Sequence, residues 1–140
     1  MTNSLPWQKL EAIGVTLVTL HSLLVGFLLF FIPQWTLNFA GWESVDNLFF
    51  PRQSGAFHFV VAAGYFVESR RCGSINLLIM AKATAVVFLL VLNPWSEAWS
   101  VPFSGITDGL MLVGMVLVDR MAKRQAAPTS PGPIEDTPDP

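Results

Sequence analysis

Apolar residues along this chain fall into four long runs separated by polar punctuation. The first, Ala12 to Ile32, is about 21 residues without a charge and stops at Pro33. At about 1.5 Å per residue it can cross a hydrocarbon core of about 30 Å. The second is weaker, with about 13 uncharged residues from Gly55 to Val67 between Arg52 and Glu68. It spans only if those two side chains sit at the interfaces with their charged ends turned outward. The third, Ile75 to Leu92, is interrupted by Lys82 and stops at Asn93-Pro94. The fourth follows Pro102, a favoured first-turn residue, and runs to about Val118 around Asp108. The pattern predicts an all-α protein, a four-transmembrane-helix bundle with spans at about 10–32, 52–69, 74–93 and 102–122 in a domain of residues 1–125. The first run is too long for a signal-peptide core and no A-x-A site follows it, so it reads as a permanent span.

Between the first two spans lies "PQWTLNFAGWESVDNLFFP", residues 33–51. Trp35, Phe39, Trp42, Val45 and Phe49 recur at the spacing of one helical face, which predicts a short amphipathic helix in the headgroup region with Gly41 as its weak point. Trp95 and Trp99 join Trp35 and Trp42 on the same side of the predicted membrane, where amphipathic rings anchor. An aromatic belt and a lid over an outward-facing cavity are both open readings of this segment.

Charge orients the spans. Lys9, Arg70, Arg71, Arg120, Lys123 and Arg124 flank one face, whereas Arg52 is the only cation beside Glu43, Asp46 and Glu97 on the other. This positive-inside pattern places both termini in the cytoplasm, with the chain in the cell (inner) membrane. It also requires the weak second span, because Lys9 and the Arg70-Arg71 pair share a side only if the chain crosses twice between them. Residues 126–140, "AAPTSPGPIEDTPDP", are too rich in proline and acid to bury anything and read as a disordered cytoplasmic tail.

Composition agrees with lipid as the solvent. The chain is 52% hydrophobic and 13% charged, against about 25% charged in ordinary soluble domains. A net charge of −2 offers no basic face for nucleic acid. Cys72 is the single cysteine, which excludes an internal disulfide and a CxxC pair.

Ionisable groups inside a span are costly and normally face the interior with a partner. Counted from the outer ends, Lys82 and His21 lie about 16 Å deep and His58 and Asp108 about 9 Å. The lysine stem covers the difference, so Lys82–Asp108 is the expected pair and Arg52–Asp108 its rival. Gly55, His58, Ala62, Tyr65 and Ser69 form a small, polar stripe that reads as the interior face of the second helix. Gly105 and Gly109 bracket Asp108 in a G-x-x-x-G, a spacing that permits close helix approach. Arg52, His58, Lys82, Asp108, His21 and Tyr65 are therefore the candidates for a buried polar centre or a ligand site. His21 and His58 read as hydrogen-bonded interior histidines. Their unequal depths and the lack of a third ligand argue against a metal or haem. No cofactor is predicted.

These features resemble small bacterial four-helix membrane proteins of the DoxX-like kind over roughly residues 10–122. The likeness rests on a first span ending in proline, on "FFPRQSGAFHFVVAAGYFVESRR" with Arg52 three residues before Gly55, on Lys82 within the third span, and on Asp108 early in the last. The resemblance implies fold and membrane location; most members have no established activity. Some are associated with quinone-linked sulfur oxidation or redox stress, and the single cysteine here departs from thiol chemistry. The expected function is that of an accessory or interaction component of a membrane complex, partnered by the bilayer and by another membrane protein or a second copy. The alternative is an outward-facing pocket that binds or transports a small amphipathic or anionic molecule. A membrane enzyme with His58 and Asp108 as proton carriers is the third reading, and it lacks a nucleophile or a metal set.

Overall fold

The computed structural model describes residues 7–43, 45–93 and 98–126, and all of its regular structure is helical. α1 spans Trp7–Phe31, α2 Pro33–Phe39, α3 Phe49–Cys72, α4 Asn76–Val86 with a π-helical continuation over Val87–Leu92, and α5 Ser100–Ala126. Two of these, α1 and α5, are long and apolar enough to cross a membrane, while Asn76–Leu92 is a shorter apolar helix. α3 runs for 24 residues but carries His58, Glu68, Arg70 and Arg71 within it. Each helix differs from its predicted span by a few residues at its ends, because composition marks where apolar side chains stop and not where the backbone stops turning. The predicted tail lies outside the described residues, apart from Ala126, which closes α5.

Local chemistry sets the turns. Pro33 has no N–H to extend α1, so the chain bends at Ile32 and Pro33 opens α2. The Thr36 hydroxyl lies 3.0 Å from the Leu28 carbonyl and 2.9 Å from that of Ile32, adding a side-chain donor to two carbonyls that also accept the Ile32 and Thr36 amides, and so ties α2 to the end of α1. The predicted amphipathic helix is cut short: α2 stops at Phe39, and Gly41 takes φ +88°, a left-handed backbone that ends a helix. Trp42 and Val45 therefore lie in an irregular connection, and Phe49 opens α3. Gly73, at φ +58°, ends α3 in the same way. Beyond it the Leu77 amide donates to Glu68 Oε2 at 2.9 Å, which caps the start of α4 with a carboxylate.

Two ends can be distinguished. At the basal end the Trp7 amide donates to Gln125 Oε1 at 3.2 Å, joining the start of α1 to the end of α5 beside the α3–α4 turn. At the upper end the Ser100 amide donates to the Ala40 carbonyl at 3.4 Å, and the Trp99 ring covers Gly41. α1 packs along α3 and also against α5; α4 and its π extension lie on α5, and α3 touches α4. The apolar core sits toward the base, where Val15 and Val18 meet Tyr65, Ile75, Leu78 and Met115.

The upper half of the α1–α3 seam is built on small residues. An added Cβ at Gly55 would lie 2.7 Å from the Phe30 nitrogen and 2.8 Å from the Gly26 carbonyl oxygen, so the two backbones touch there. Large apolar side chains instead point away from the core on every long helix. Leu17 and Leu24 do so on α1, Phe57 and Val60 on α3, Phe88 on the π turn and Leu110 on α5.

Candidate functional site

Lys82 stands one helical turn above the core residue Leu78 on α4, between Ala81 and Ala85. It is only 4% exposed. Its Nζ donates to Asp108 Oδ1 of α5, whose side chain is 13% exposed, and the pair bridges the two helices. Gly105 lets α5 come close enough: a Cβ there would lie 2.5 Å from Leu90 Cδ2 and 3.2 Å from the Leu89 Cβ on the π turn. Gly109, the second glycine of the G-x-x-x-G, is different. Its nearest neighbour would be Val86 Cγ2 at 3.8 Å, so the close approach is made by Gly105 alone.

Four helices contribute to the surroundings of this pair. The charges of Lys82 and Asp108 reach His21 on α1 and His58 on α3, and Asp108 reaches Tyr65. Both histidines are part-buried, and neither imidazole hydrogen-bonds to another described residue, contrary to the expectation for them. They sit at the edges of the buried stripes of α1 and α3 and not at their centres, where Ser22, Gly26, Gly55 and Ala62 exclude a larger ring. Tyr65 is buried in the apolar core and joins the polar centre only through the reach of Asp108. Among the described residues no group of three or more His, Cys, Asp or Glu could hold a metal ion.

Arg52 does not belong to the centre. It is exposed in the first turn of α3 and forms no ion pair among the described residues, so the rival Arg52–Asp108 pairing is absent. The reason is positional: α3 begins at Phe49, which leaves Arg52 at the upper rim, away from the seam that buries Gly55. A groove of about 490 Å³ opens beside it, lined by Phe30, Leu48, Phe49, Gln53 and Ala56.

A second polar cluster escaped the sequence reading. Asp119 of α5 is buried and accepts from Lys123 Nζ at 2.8 Å. With Glu11, Gln8 and Ser69 it lines a basal groove of about 370 Å³ between α1, α3 and α5. The D-x-x-x-K spacing of Asp119 and Lys123 was the available signal, since residues four apart share a helix face.

The aromatic residues gather at the upper end. Trp35 stacks on Phe39 at 5.4 Å, Phe39 meets Trp99 edge-on at 6.0 Å, and Trp99 meets Phe103 at 5.8 Å. Trp42 is exposed in the connection after Gly41, and Trp95 lies outside the described residues. Comparison with protein-family models, curated proteins and solved structures finds no match to this chain.

Proposed function

We propose that this chain is a four-span membrane protein of the inner membrane, with both termini cytoplasmic, that serves as an accessory or interaction component of a membrane complex. Support for the spans comes from the distribution of side chains. Phe57 and Val60 are 61% and 68% exposed on α3, the least apolar helix, while its Gly55, Ala62 and Tyr65 are buried. Small and polar residues inside with phenylalanines outside is the pattern expected of a helix solvated by lipid. At about 1.5 Å per residue, 24 residues reach about 36 Å, enough to cross. The likeness to DoxX-like proteins belongs to this reading.

The observation that carries the functional part is the buried Lys82–Asp108 pair. Each charge satisfies the other inside the fold, so the polar centre acts as a brace between α4 and α5, and neither groove described above is lined by it. The surface is then the working part, and the upper aromatic cluster is its most distinctive region. Purification in mild detergent is expected to yield a fixed ratio of this chain to a second protein or a second copy. The exposed double substitution Trp35→Ser/Phe39→Ser should disrupt that association with little change in thermal midpoint. A chain that purifies alone as a monomer, or an association indifferent to these changes, would defeat the proposal.

Topology has a natural probe. Cys72 is exposed at the α3–α4 turn beside Arg70 and Arg71. A membrane-impermeant maleimide should leave it unlabelled in intact cells and label it after permeabilisation. Labelling from outside would reverse the orientation, and recovery of the chain in the soluble fraction would remove the membrane reading altogether.

A further inference from the structure

We propose that the groove between the end of α1 and the first turns of α3 holds an anionic phospholipid, with its phosphate on Arg52 and an acyl chain along Phe30 and Ala56. Of the eight Lys and Arg residues, Lys82 and Lys123 are ion-paired and Lys9, Arg70, Arg71, Arg120 and Arg124 lie toward the basal end. Arg52 is left as the one cation of the upper end, and no carboxylate lies within pairing distance of it among the described residues. It occupies the first turn of α3, where the helix dipole favours negative charge and disfavours a cation. A bound phosphate turns both terms favourable at once. The Gln53 amide stands next to it as a further donor.

The shape suits an amphiphile. The other walls are mostly apolar, with Phe30 and Ala56 on the inner side of Arg52 and Leu48 and Phe49 on its rim side, and the groove of about 490 Å³ is open along one side, as a chain continuous with the bilayer needs. Its origin is the seam: Gly26 and Gly55 bring α1 and α3 into backbone contact, and the groove opens just above that contact. Glu43 and Asp46 belong to the same end and form no pair with Arg52.

The inference rests on the membrane reading, and its test separates the two. The protein is reconstituted in vesicles of equal phosphatidylcholine and phosphatidylglycerol, one of them carrying a photoactivatable acyl chain, and crosslinks are mapped by peptide mass spectrometry. Residues 48–56 should crosslink to phosphatidylglycerol about ten-fold more than to phosphatidylcholine, the size of one charge-assisted contact. Arg52→Gln should abolish the difference, Arg52→Lys should restore part of it, and both should keep the wild-type thermal midpoint. Equal crosslinking by the two lipids, or a preference untouched by Arg52→Gln, overturns the site, as does loss of the preference on adding millimolar inorganic phosphate, which would assign a free anion. Failure to reconstitute at all would overturn the membrane reading and the lipid site with it, whereas the crosslinking outcomes overturn the site alone.

Discussion

Lys82→Ala is expected to destabilise the fold by about 3–5 kcal/mol, more than the double change Lys82→Met/Asp108→Leu, although the double change removes more native groups. The single substitution leaves the Asp108 carboxylate, 13% exposed, without its ammonium partner in a water-poor interior. The double change removes both charges and fills the volume with apolar side chains, which for buried ion pairs is commonly neutral or stabilising. Thermal unfolding in a single detergent, run on wild type and both variants, reads the order directly. Equal losses in the two variants would show that the charges are not coupled. The brace between α4 and α5 would then have to come from the Gly105 contact with Leu89 and Leu90.

Gly55→Ala carries the second large effect, and Gly109→Ala is its control. A methyl at residue 55 would sit 2.7 Å from the Phe30 nitrogen, 2.8 Å from the Gly26 carbonyl oxygen and 2.9 Å from the Phe30 Cβ. Backbone atoms cannot rotate aside as a side chain does, so α1 and α3 must separate along their main contact. A loss of about 1–3 kcal/mol or more is expected. At Gly109 the nearest atom would be 3.8 Å away. Relief of glycine's backbone entropy should make that substitution neutral or stabilising by up to about 1 kcal/mol. The same chemical change thus takes opposite signs at two helical glycines, read as a midpoint shift in the same assay. A Gly55→Ala variant as stable as wild type would mean that the two helices do not cross so closely.

Several elements of this molecule are legible in its pattern of residues, for identifiable reasons. Helical character follows from runs of apolar residues too long for strands, and Pro33 marks the end of α1 because no residue type substitutes for its missing N–H. The buried stripe of α3 was visible because Gly55, Ala62 and Tyr65 share a face at 3.6-residue spacing. Gly41 was visible as a weak point, but not as the place where α2 would stop. Local bonds from the Gly41 amide to the Asn38 carbonyl and from the Trp42 amide to that of Leu37 close its left-handed turn, while the Trp99 ring, far away in the chain, fills the space that a Cβ would need. The π turn over Val87–Leu92 had no local signature either. Asp119 went unread because an acid beside a basic helix end looks solvated until α1 covers it with Gln8, Glu11 and Ala12.

By itself the sequence determined the apolar runs, the helical periods and the expectation of a partner for Lys82, since all three depend on composition and on spacing within one segment. Only the tertiary structure decided which helices meet. It gave Lys82 to Asp108 and left Arg52 without an ion pair among the described residues, and it made Gly105 the contact point and Gly109 a bystander. It also kept both histidines at the edges of their buried stripes. Those outcomes turn on the relative rotation and separation of whole helices, set by the few places where backbones can touch, and no single segment encodes that geometry.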